Sequence, residues 1–140
     1  MGKRIDNTIC HCLKMRRSAE NVIHCYDSVL APSGVTVRQY SLLYQVLKHE
    51  GCNVSELAEL AELDRSTLAR SLRPLLNAGL IVNSKEPGAR DSRLVLSEKG
   101  RQVCREAENL WNEAQRMYEE RVGMGQVEIL ENILEALQAL

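Results

Sequence analysis

The chain has 140 residues, enough for one well-buried core and too few for two independent ones, so a single globular domain is expected. No stretch approaches the ~18 uninterrupted apolar residues of a membrane span, and no apolar run follows Lys3-Arg4 to make a secretory signal, which predicts a soluble, cytoplasmic protein. The net charge of −1 conceals a segregation: residues 65–105 hold nine Lys/Arg against three Asp/Glu, whereas 106–140 hold two against eight, so one face suits phosphates and the other does not.

Apolar residues at Ile9, Cys12 or Leu13, Ala19, Val22, Ile23, Tyr26 and Leu30 recur at helical spacing and predict a long amphipathic helix from Ile5 to about Leu30, ended by Ala31-Pro32-Ser33-Gly34. A second helix is expected over Val37–His49, with Tyr40, Leu43, Tyr44, Val46 and Leu47 on its apolar positions. Asn53-Val54-Ser55-Glu56 has the form of a capping box and opens a helix of about two turns. Asp64 caps the next, in which Leu68, Leu72, Leu75 and Leu76 are expected inward and Arg65, Ser66, Thr67, Arg70, Ser71 and Arg73 outward. Pro74 removes a backbone donor there and predicts a kink or a tightened last turn, and Asn77-Ala78-Gly79 ends the helix. Leu80-Ile81-Val82 and Arg93-Leu94-Val95-Leu96 read as two strands of a hairpin around Pro87-Gly88. Ser97 opens a long helix through Tyr118, and Gly123-Met124-Gly125 separates it from a last one ending near Leu137.

The fold class is therefore mainly α with a small β-hairpin: two short helices and a hairpin form a winged helix-turn-helix lobe over residues 37–100, flanked by helical regions 1–36 and 101–140. An α-helix fits the major groove of double-stranded DNA, where hydroxyl and guanidinium groups near its start reach base edges. Ser66, Thr67 and Arg70, with Ser71 beside them, are the candidate readers; Arg65 and Arg73 are candidate phosphate anchors, and Arg90 and Arg93 suit a wing tip. The terminal helices carry broader apolar faces than one small lobe can cover, and a near-palindromic operator needs two recognition helices, so a homodimer is expected.

Over nearly its whole length the chain resembles the MarR family of transcription regulators. The resemblance rests on Leu30-Ala31-Pro32-Ser33-Gly34-Val35-Thr36-Val37-Arg38-Gln39-Tyr40, on the Leu63–Leu75 helix and on the Leu96-Ser97-Glu98-Lys99-Gly100 step. It implies dimerisation through the first and last two helices, and repression relieved by a small ligand or by oxidation. One place departs from the family pattern: Gly88 stands where an acidic residue commonly braces the wing arginine matched here by Arg90, leaving Asp91 as the available substitute.

Three of the five cysteines crowd the first helix, beside histidines, as Cys10-His11-Cys12 and His24-Cys25. In a straight helix Cys10 and Cys25 stand roughly 22 Å apart, at ~1.5 Å per residue, and Cys10 and Cys12 face nearly opposite ways, so no single-chain metal site is expected from them. The first helix is similar to that of the OhrR-type peroxide sensors of the same family, which makes Cys10, Cys12 and Cys25, with His24 and Tyr26, candidates for redox or ligand sensing. Lys14, Arg16 and Arg17 favour a thiolate. A small-molecule effector is the other candidate signal, with His24, Tyr26, Arg16, Tyr40 and Trp111 as possible lining. Cys52 and Cys104 read as packing residues.

No glycine-rich phosphate loop, paired-carboxylate site or Ser/His/Asp set is recognisable, so neither an enzyme nor a cofactor is expected. The competing reading is a winged helix used only to bind other proteins.

Overall fold

A computed structural model describes residues 10–140; the expected helix start at Ile5 lies outside them. Six helices and one hairpin follow in the order α1 (His11–Leu30), a 3-10 turn (Ala31–Ser33), α2 (Val37–Lys48), α3 (Val54–Leu60), α4 (Arg65–Asn77), β1 (Ile81–Asn83), β2 (Leu94–Leu96), α5 (Glu98–Val122) and α6 (Met124–Gln138). Elements and order match the sequence reading. The strands differ slightly, because β1 begins one residue later than expected and Arg93 lies just outside β2.

Each start in the lobe is held by a side chain that accepts an otherwise unpaired backbone N–H. Thr36 and Gln39 form a reciprocal capping box at α2, Asn53 Oδ1 accepts from Glu56 N at 2.8 Å, Asp64 Oδ1 accepts from Thr67 N at 2.8 Å, and Ser97 Oγ accepts from Gly100 N at 2.9 Å. Asp27 of α1 reaches across to accept from Val37 N at 2.8 Å, which ties the two helices at their junction. The end of α4 is a Schellman turn: Leu80 N donates to Leu75 O and Gly79 N to Leu76 O, with Gly79 at φ +71°. The helix continues through Pro74 to Asn77.

The core sits around α2. Leu43 and Val46 are completely inaccessible and belong to one core with Leu30, Leu57, Leu68, Leu75, Ile81 and Leu94, drawn from α1, α3, α4 and both strands, and with Cys104 and Ala107 of α5. Each fully buried aliphatic side chain of this kind contributes about 1.5–3 kcal/mol. Leu76, expected inward, is 38% exposed because Leu72 and Leu75 already fill the inner side of that turn. Cys52 and Cys104 are buried as expected, and burial pushes both thiols up. β1 and β2 pair antiparallel with Ile81 opposite Leu96, and an isolated bridge from Cys52 to Leu94 extends the hairpin to a third, unforeseen edge.

The long helices leave apolar surface uncovered. Leu13, Met15 and Val22 of α1, Met117 of α5, and Met124, Ile129, Ile133 and Leu137 of α6 are exposed, and no residue of α6 is buried. No described helix is long and apolar enough to cross a membrane.

Substitutions at two points test this packing. A Cβ on Gly100 would stand 2.0 Å from the Leu80 carbonyl oxygen, whereas one on Gly125 would meet nothing within 4 Å. Gly100→Ala is expected to cost at least about 1–3 kcal/mol in urea unfolding, and Gly125→Ala to be neutral or stabilising by up to ~1 kcal/mol. The Asp64 carboxyl is held down to about 2, first by the Thr67 N–H and then by the Ser66 and Thr67 hydroxyls. A depressed carboxyl contributes stability that is full above its ordinary value of 3.8 and is lost as pH falls through about 2. The stability gap between the protein and Asp64→Ala should therefore be constant above about pH 4 and close as the pH approaches 2, measured by chemical denaturation across that range.

Candidate nucleic-acid interface

α4 presents the expected polar face. Arg65, Ser66, Arg70 and Arg73 are exposed, while Thr67 and Ser71 are half-buried at the side of the helix that faces α2. The two hydroxyls at the helix start are already committed as donors: Ser66 Oγ and Thr67 Oγ1 each donate to the Asp64 carboxylate at 2.8 Å. In this arrangement they offer base edges only their lone pairs, so they suit the amino groups of adenine or cytosine rather than carbonyl or ring-nitrogen acceptors. Arg70 leans its guanidinium toward Thr67 Oγ1 at 3.4 Å and makes no ion pair among the described residues, so its donors remain free for a guanine edge.

A second cluster gathers at the other end of this face. Asn53, Val54 and Ser55 at the start of α3, Arg65 of α4, and Arg90, Asp91 and Ser92 of the hairpin loop line one shallow polar cleft of about 220 Å³. Arg65 donates to Ser55 Oγ, and Val54 N donates to Ser92 Oγ at 2.9 Å, which docks the wing onto α3. The cleft brings together two arginines that lie 25 positions apart in the chain, beside a helix start whose dipole favours anions. This is phosphate-binding chemistry, with Asp91 as its one opposing charge.

The hairpin is braced differently from what the sequence predicts. The described ion pairs are Arg16–Glu20 and Arg101–Glu50, so Asp91 does not replace the acidic brace lost at Gly88. Backbone and amide bonds hold the loop instead: Ser84 N donates to Arg93 O at 2.7 Å, and Asn83 Oδ1 accepts from Arg93 N at 2.9 Å and Lys85 N at 3.3 Å. Arg93 is accordingly at the base of the wing, its side chain lying across Gly51, and only Arg90 of the expected pair is near the tip.

The sensing candidates separate into different environments. Cys10, Cys12, His24 and Cys25 are exposed along α1, and no group of three His, Cys, Asp or Glu among the described residues is placed to hold a metal. Cys10 shares a shallow cleft of about 330 Å³ with Leu13, Lys14 and Arg17. Tyr26 is part of the core, donating to Gln115 Oε1 and meeting Tyr118 edge-on at 6.5 Å, and burial raises its phenol. A larger cleft of about 400 Å³ lies between α2 and α5, lined by Val37, Tyr40, Ser41, Tyr44, Glu108 and Trp111. Tyr40 and Trp111 were foreseen there; Arg16, His24 and Tyr26 are not part of it. Tyr44 and Glu108 were missed, although Tyr40/Tyr44 and Glu108/Trp111 are spaced to share a helix face.

Known proteins share this architecture. The pattern of the MarR family matches residues 35–93, the segment from just after the 3-10 turn to the end of the hairpin loop, short of β2. The crystal structure of the transcriptional regulator MosR of M. tuberculosis in complex with DNA is 32% identical, over 94% of this chain and 98% of that one, with a TM-score of 0.75. The transcriptional repressor CouR bound to a 23-mer DNA duplex superposes with a TM-score of 0.83 over 99% of both chains at 23% identity. PcaV of Streptomyces coelicolor, solved with its natural ligand, also gives 0.83, over 99% of this chain and 98% of that one, at 19% identity; these last two speak to the fold. An uncharacterized protein of Methanocaldococcus jannaschii is 34% identical over 68 residues, 45% of this chain, and the match spans about half (52%) of that curated relative's length. A relative 32% identical over almost the whole of both chains, together with the family pattern across the helix-turn-helix and the hairpin loop, shows that this chain belongs to the MarR family of transcription regulators.

Proposed function

We propose that the protein is a cytoplasmic, sequence-specific regulator that binds double-stranded DNA as a homodimer and represses transcription until a small ligand or thiol oxidation releases it. The observation that carries this reading is the convergence of the exposed α4 face with the Arg65–Arg90 cleft, which sets candidate base readers and phosphate anchors on one side of the lobe. The occurrence of MosR and CouR in DNA complexes supports it. The uncovered apolar surface on α1 and α6 supports pairing of two chains through residues 1–36 and 101–140, with 37–100 as the DNA-binding lobe. Dimerisation would set two recognition helices about one DNA turn apart, roughly 34–36 Å.

Selection from a randomised duplex pool tests the reading directly: an inverted repeat should be enriched, and no enrichment would favour a protein-interaction module. On the selected site Arg70→Ala should lose about 1–3 kcal/mol of preference at one base position per half-site. Arg65→Ala and Arg90→Ala should instead weaken all sequences alike, each lowering the salt slope of log K by ~1 because one phosphate is no longer neutralised.

The release signal has a specific candidate in the Cys10 cleft, where Lys14 and Arg17 stand beside an exposed thiol. A hydroperoxide would oxidise that thiol to a sulfenic acid, giving up the corresponding alcohol, and a second thiol would then displace water to form a disulfide. Cys12 can serve as that thiol only if the first turn of α1 opens. Mild peroxide should abolish binding to the selected site, dithiothreitol should restore it, and Cys10→Ser should remain bound throughout; a Cys10→Ser variant released like the parent would remove this switch.

A further inference from the structure

The cleft between α2 and α5 has a chemistry that selects among ligands. Three of its six lining residues are aromatic, with Tyr40 in the middle: its ring centre is 6.3 Å from that of Tyr44 and 6.1 Å from that of Trp111, the planes tilted by 50° and 40°. Glu108 is its one ionisable carboxylate, and none of the six residues is basic. Glu108 is exposed and makes no ion pair among the described residues, and its charge reaches the interior, where after burial it is the next cause that pushes the Tyr40 phenol up to about 12. Aromatic faces carry negative potential and a carboxylate carries a full negative charge, so both attract cations and both repel anions. The molecule supplies its own indication: Lys48, outside the lining, holds its ammonium 5.5 Å from the centre of the Tyr44 ring.

We infer that this cleft binds a small organic cation with a flat apolar body, such as an aryl-substituted quaternary ammonium, its charge against Glu108 and the ring faces and its body between Tyr40, Tyr44 and Trp111. A ligand there is placed to reach the recognition helix. Ser41 lines this cleft and also a second one of about 320 Å³, shared with Arg38, Thr67 and Ser71, so a shift of α2 on one side is felt by α4 on the other. That consequence for DNA rests on the regulator reading above; occupancy of the cleft does not.

Trp111 is the single tryptophan of the chain, so its emission reports on the cleft alone. The purified full-length protein is titrated with benzyltrimethylammonium, benzyl alcohol and benzoate, exciting Trp111 at a wavelength the probes do not absorb. The cation should bind at least about tenfold more tightly than the neutral or the anionic probe. Glu108→Gln, a substitution at an exposed position, should abolish that preference with an unchanged melting curve, Tyr44→Ala should weaken the cation alone, and Lys48→Ala should strengthen it by removing a competing charge. Benzoate binding as well as the cation, a preference that survives Glu108→Gln, or no probe binding at all would overturn the inference. Binding to the selected operator is measured in the same samples: a cation that occupies the cleft without changing operator affinity would leave the binding site standing and remove its regulatory role, whereas absence of any operator would count against the regulator reading alone.

Discussion

Everything in the lobe is referred to one close approach, the passage of the first turn of α5 over the backbone of Leu80. Ser97 N donates to Leu80 O at 3.0 Å, Ser97 Oγ caps Gly100 N while donating to Gly79 O, and the absence of a side chain at Gly100 lets the two backbones meet. Leu80 ends the Schellman turn of α4 and leads directly into β1, and Ser97 follows β2. The recognition helix, both wing strands and the long helix are thus pinned at a single point. An interface made of side chains from α3, α4 and the wing depends on that registration, because the Arg65–Arg90 cleft exists only while the hairpin keeps its place on α3.

The electrostatics of the candidate interface are built with an internal opposition. Asp64 caps α4 by accepting from the Thr67 N–H and from the Ser66 and Thr67 hydroxyls, in that order of weight, which explains why its proton is given up so readily. The same carboxylate offsets part of the field that would attract phosphate and engages the protons of Ser66 and Thr67. In the proposed reading, affinity for an anionic backbone is then left to Arg65, Arg73 and Arg90, while Arg70 and the helix start are kept for recognition. Rigid presentation of hydroxyl lone pairs favours discrimination between bases over general attraction.

α2 is the element that borders both clefts. One of its sides meets α5 and forms the aromatic cleft; another meets α3 and α4 and forms the cleft beneath Thr67 and Ser71. Leu43 and Val46 are completely enclosed, so in the proposed regulation displacement at one cleft would be passed on by a close-packed helix. The acidic region beyond residue 105, which by charge alone has no part in contacting phosphates, includes the one carboxylate that gives this cleft its sign.

The sequence alone determined the elements and their order, the caps at Asn53, Asp64 and Ser97, the exposed arginines of α4 and the buried roles of Cys52 and Cys104. Those features are local: they follow from periodicity, from a polar residue just before a helix, and from charge on one stripe of a helix. Tertiary structure decided whatever depends on two distant segments meeting. It turned Leu76 toward solvent because Leu72 and Leu75 had filled the inner side, placed Arg93 over Gly51 at the base of the wing, replaced an ion-pair brace by the Asn83 and Ser84 bonds, and committed Tyr26 to the core beside Gln115 and Tyr118. The pairing of Glu108 and Trp111 with Tyr40 and Tyr44 is of the same kind. Each pair is legible on its own helix at a spacing of three or four, but which helix faces which is set by the shared core, and no local pattern records it.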